Sequence, residues 1–221
     1  MGEETLLIVG NGFDLSMGFK TSYGDFMKSS FFPKYDSTLC SHLRKQFQEN
    51  MGWIDIEKEL SEFSSMLISM KQDAKKKHIK WEYDSFREEY EELKSSLKAY
   101  LQEETKRAFG PSPDNPAKRV IDQLPAESKI ISFNYTSIIE RMTRDRFCAL
   151  KSNLLHIHGS LAPNDDIVFG VEDSAKLPKE HVFLYKAHSR HLKVQEFSDW
   201  LNSAERIIFY GYSLGDTDHQ Y

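Results

Sequence analysis

Four apolar residues, Leu6 to Val9, run without a break into Gly10-Asn11-Gly12, and this abrupt stop constrains the fold more than any other feature of the chain. A short, continuous apolar run is the signature of a strand buried on both faces, as a strand inside a parallel sheet is. Two glycines directly after it have two explanations. They can make a tight turn, or they can let the backbone approach a ligand, with a following helix aiming its first amides at a diphosphate. The pattern recurs in "KIISFNY" (129–135), "NLLHIHG" (153–159), "DIVFGV" (166–171) and "RIIFYGYS" (206–213). A helical stretch, "VQEFSDWLNSA", precedes the last of these. Strands alternating with helices predict an α/β fold with a parallel sheet and crossover connections, whose ligands bind beyond the carboxyl ends of the strands. The unusual residues sit at those ends, in "GNGFD", "FNYT", "HIHGS", "FGVED" and "GYSLGD".

Between the first strand and the second lies a long helical tract. Thr21 or Ser22 offers an N-cap in "TSYGDF". Trp53, Ile56, Leu60, Phe63, Leu67 and Met70 recur at spacings of three and four, as do Phe86, Tyr90, Leu93, Leu97 and Leu101. Each set makes one apolar stripe, and two long helices packed as an antiparallel pair are expected. The polar tract "KQDAKKKHIK" separates them, and "GPSPDNP" (110–116) ends the tract. The expected organisation is one domain over residues 1–221, with a helical insertion at about 40–109.

Composition narrows the function. The 221 residues carry a net charge of -5, which gives no general pull toward nucleic acid. The single basic cluster, at 75–80, has no interleaved aromatic residues and reads as a solvated loop. No apolar run approaches the roughly 20 residues of a membrane span, and no secretory signal core is present, so a cytoplasmic location is expected. Two cysteines, Cys40 and Cys148, exclude a disulfide scaffold and a four-cysteine zinc site. His156 and His158 would share one face of a strand, but no third ligand lies near them in sequence and no metal is expected. Asn134 either forms a local Asx turn or meets a ligand where its strand opens to solvent. Gly211 and Gly215 around Ser213 leave the same choice between turn and ligand loop.

In order along the chain, "GNGFDL", Trp53-x-Asp55-Ile56-Glu57, "FNYT", "HIHGS" and "GYSLGD" resemble the AbiH family of phage abortive-infection proteins, itself similar to sirtuin-like NAD-processing domains. The resemblance covers nearly the whole chain. It implies a Rossmann-like fold and NAD, or a related nucleotide, as ligand. By the resemblance, Gly10, Asn11 and Gly12 would wrap the diphosphate and ribose; Asp14, also expected to bind the cofactor, departs from the sirtuin glycine loop and has no secure counterpart there. Asn134 would stand by the nicotinamide ribose, and His158, before Gly159, would match the catalytic histidine. Gly211 and Ser213 would lie on the adenosine side. Sirtuin deacylases build their peptide cleft on four cysteines, so two cysteines turn the expectation from deacylation to NAD cleavage by water. His156 is expected to be structural. The alternative is a non-catalytic nucleotide-binding sensor whose helical arm engages a phage-derived trigger or protein partner; a nuclease or a structural adaptor ranks lower. Homo-oligomerisation is left open. Because the chain stops at Tyr221, a more open adenosine side and weak dinucleotide affinity are expected.

Overall fold

The computed structural model describes residues 4–34, 37–108, 110–143 and 153–212. It contains four strands, β1 (Thr5–Val9), β2 (Lys129–Ser132), β3 (Leu154–His156) and β4 (Arg206–Tyr210). All neighbouring pairs are parallel, in the order β3-β2-β1-β4. The chain passes from β1 outward to β2 and β3, then returns to the other side of β1. The crevice of such a sheet therefore opens beside the carboxyl end of β1. Every residue of β1 is buried, which explains why Leu6 to Val9 are apolar without alternation.

The chain divides into two compact units. The first comprises residues 1–22, 101–168 and 191–221 and holds the sheet. One sheet face, with Leu7, Val9 and Ile130, packs on Phe13 of α1 (Asn11–Ser16), Ala117 and Ile121 of α6 (Pro116–Gln123), and Ile138 and Ile139 of α7 (Ile138–Thr143). The opposite face, with Leu6, Ile8 and Ile131, packs on Phe197 of α8 (Val194–Ser203). Helices thus cover both faces, and the connections place every strand's carboxyl end at one edge of the layer.

The second unit comprises residues 23–100 and 169–190. It is wider than an insertion at 40–109 and takes in a segment from late in the chain. It contains α2 (Tyr23–Lys28), α3 (Thr38–Glu49), α4 (Ile56–Lys76) and most of α5 (Phe86–Glu104). Asp55 caps α4 by accepting from the Lys58 amide, and Ser37 caps α3 at the Cys40 amide. Ile56, Leu60, Phe63 and Leu67 are buried, as are Phe86, Tyr90, Leu93 and Leu97. The Phe63 and Phe86 rings meet edge to face at 5.0 Å. Trp53 and Met70, assigned to the first stripe by spacing, are 68% and 50% exposed. Trp53 precedes the helix and so leaves its periodicity, while Met70 lies beyond the last buried turn of α4.

One expected strand does not form. Residues 166–171 are buried at Ile167, Val168, Phe169 and Val171, yet they belong to no strand of the sheet. The Val168 amide donates to the His158 carbonyl, and Val171 exchanges backbone bonds with Leu184 and Lys186. Gly170 adopts φ 151°, and a Cβ there would stand 2.1 Å from the Leu184 carbonyl oxygen. The run is apolar because it is enclosed, not because it pairs along a ladder. Among the described residues, no helix is long and apolar enough to cross a membrane.

Candidate active site

The strand-end residues of the first unit converge on a buried carboxylate. Asp14 lies on α1, four residues beyond Gly10, and is only 1% exposed. Asn134 Nδ2 donates to Asp14 Oδ1 at 2.8 Å and to the Gly10 carbonyl at 3.0 Å. The Thr136 hydroxyl donates to Asp14 Oδ2. Both oxygens of Asp14 are therefore held by neutral donors carried on the chain just past β2. The Asp14 carboxyl is pushed up to about 7: burial is the main cause and Glu140 adds to the rise, while the bonds from Thr136 and Asn134 and the charge of His156 hold it from rising further. A carboxyl with a neutral-range pKa at the carboxyl edge of a parallel sheet has the placement and acidity of a functional group.

Asn134 is gripped from its backbone as well. Its carbonyl accepts from His156 Nδ1 at 2.8 Å, while His156 Nε2 bonds Glu140 Oε1 of α7 at 2.9 Å. Burial alone would lower the imidazole pKa; the hydrogen bond and charge of Glu140, with the Asn134 carbonyl, outweigh it and Lys193's opposing charge, and the net direction is upward. The second Glu140 oxygen is buried and has no hydrogen-bond partner among the described residues, the kind of atom a ligand or water donor satisfies.

The two histidines separate. β3 ends at His156, so the alternation that would keep His158 on the same face does not continue. The His158 ring instead meets Phe133 edge to face at 5.3 Å, and Phe133 packs on the core under α8. His158 is buried, its carbonyl taken by the Val168 amide. Of the pair, His156 is the one that meets Asn134.

The glycines answer the question raised by their spacing. A Cβ on Gly12 would stand 2.6 Å from Gly211 Cα, and one on Gly10 would stand 2.7 Å from both the Gly211 oxygen and Tyr212 Cα. The Gly12 amide donates to the Gly211 carbonyl at 2.8 Å. The close approach at the end of β1 is therefore made by the backbone after β4, and Gly211 itself takes φ 63°. A side chain at Gly12 would therefore meet the Gly211 backbone. Gly159 is equally constrained, with φ 68° and the Asp166 oxygen 1.9 Å from where a Cβ would be. The Asn11 side-chain oxygen accepts from the Thr21 hydroxyl at 2.6 Å. Ser213 lies outside the described residues. Among the described residues, no group of three or more His, Cys, Asp or Glu side chains is arranged to hold a metal ion.

Thr136 is visible in "FNYT" only as a polar residue near Asn134, and nothing in the sequence announces Glu140, which reaches His156 across the fold. A parallel sheet covered by helices on both faces, with a buried acid, amide and imidazole gathered at its carboxyl edge, defines a Rossmann-like protein. The chain belongs to the bacteriophage abortive infection AbiH family, whose sequence model matches residues 6–221. Membership assigns it to phage abortive-infection defence. No curated protein and no solved structure matches the chain.

Proposed function

We propose that this AbiH protein acts in abortive infection by hydrolysing the bond between nicotinamide and ribose in NAD. The observation that carries the reading is the clamp on Asn134. Both hydrogens of its amide are engaged, by Gly10 and Asp14. Asn134 can therefore bond a ligand only through its side-chain oxygen, as the acceptor of a ribose hydroxyl or of water. Asp14 acts as a positioning residue, since it is enclosed and works through Asn134. The likeness of "FNYT" and "HIHGS" to sirtuin-like motifs supports NAD as the substrate and His158 as the base.

The chemistry follows from those roles. The bond from C1′ to the nicotinamide nitrogen breaks, and its electron pair leaves with nicotinamide, which departs neutral. A water oxygen bonds C1′, and His158 takes the proton the water loses. Asn134 orients that water or a ribose hydroxyl, which converts binding into reactive geometry.

The test pairs NAD binding by calorimetry with nicotinamide release, on the parent and on Asn134→Ala and His158→Ala, with phage lysate added in a parallel arm. Release by the parent, lowered about 10²-fold or more in each variant, is the expected result. Binding should survive in His158→Ala. Undiminished release by His158→Ala would remove that residue from the mechanism. Binding by the parent without release in either arm would favour the non-catalytic sensor.

A further inference from the structure

We propose that His156 and Glu140 form a charged positioning pair that fixes Asn134 from its backbone side. The functional part of this proposal rests on the site reading above; the hydrogen-bond geometry does not.

The argument starts from the acceptors. His156 Nδ1 faces a peptide carbonyl, which can only accept, so that nitrogen carries a hydrogen. Nε2 faces a carboxylate oxygen, so a second proton lies between His156 and Glu140. The imidazolium–carboxylate form satisfies both contacts with the two groups in their charged states. This is not the arrangement of a histidine that merely fills a core, for which one donated hydrogen suffices.

The pair is connected to the rest of the site through one residue. Asn134 receives His156 at its carbonyl and gives its amide to Asp14 and Gly10. Its own amide is tied to Ser132 Oγ at 3.2 Å, and the next polar residue along, Thr136, holds the other oxygen of Asp14. The short segment after β2 is thus fastened at one end by a cation and at the other by a carboxyl that titrates near neutrality. The charged groups acting on His156 are Glu140 of α7 and Lys193 before α8, and those acting on Asp14 are His156 and Glu140. With the imidazolium present, Asp14 is favoured as the carboxylate that accepts from Asn134. Without it, Asp14 takes up a proton at higher pH and loses part of its hold.

Nitrogen-15 NMR of the full chain, following the His156 ring, tests this directly. In Glu140→Gln the ring should lose its second proton at lower pH than in the parent. Glu140→Asp should restore much of the parent behaviour and also serves if the glutamine variant does not fold. In nicotinamide release, Glu140→Gln should lower kcat by about 10- to 100-fold, the scale of a misplaced positioning group, with KM little changed. His156→Gln should move the acid limb of the release profile to higher pH. A ring that titrates identically in the parent and in Glu140→Gln would overturn the pair. If the parent releases no nicotinamide while the ring behaves as expected, the NAD reading fails and the positioning pair stands.

Discussion

Each unit of this protein buries carboxyl groups, but the two units stabilise them in opposite ways. In the second unit, the Lys186 ammonium is 1% exposed and lies between Glu57 Oε2 at 2.9 Å and Glu172 Oε1 at 2.7 Å. Glu57 closes Trp53-x-Asp55-Ile56-Glu57 and Glu172 belongs to "FGVED", so two of the recurring sequence motifs meet on one cation. In the first unit, Asp14 is as deeply enclosed but is held by an amide and a hydroxyl, and burial takes its pKa to about 7. A carboxylate compensated by a full opposite charge is fixed in one state and serves structure. One compensated by neutral dipoles sits near its titration point, where a small change in surroundings alters its charge.

The contrast is sharpest where the charge is removed. Lys186→Met removes the buried ammonium that lies between the Glu57 and Glu172 carboxylates. It should cost about 3–5 kcal/mol, the usual penalty for breaking a buried ion pair from one side, read as a lowered urea midpoint. A change under about 1 kcal/mol would mean that the triad is hydrated in solution, and would erase the distinction between the units.

A smaller effect separates packing from ligand contact at the end of β1. Gly12→Ala places a methyl against the Gly211 backbone and should destabilise the protein by about 1–3 kcal/mol with no nucleotide present. Unchanged stability in thermal unfolding, with loss of NAD binding, would return the glycines to a ligand-facing role.

Much of this arrangement is legible in the sequence because burial leaves a continuous apolar run, as in β1, β2 and β3; β4 carries the same run although Ile207 and Phe209 are 40% and 50% exposed. The helical stripes of α4 and α5 are legible for the same reason, through period instead of continuity. The failures have physical causes. Residues 166–171 are as apolar as a strand, but enclosure and pairing leave the same sequence trace. Gly10 and Gly12 announce a close approach without saying to what, and the partner, Gly211, lies about 200 residues away. His156 reads as a strand residue because its bond to Glu140 joins elements that local pattern cannot bring together.

The central claim is that Asp14 is a buried carboxyl poised near neutrality, and its own titration tests this most directly. Carbon-13 NMR of the Asp14 side-chain carboxyl, assigned by its absence in Asp14→Asn, gives the midpoint. Because the folded pKa stands above the ordinary 3.8, the protonated form stabilises the fold at low pH. Asp14's contribution to stability should therefore be present below about pH 4 and lost as pH rises to about 7, a trend that Asp14→Asn removes. The account predicts a titration midpoint of about 7 in the parent protein. A midpoint near 3.8 would show Asp14 to be an ordinary ionised acid and would contradict it.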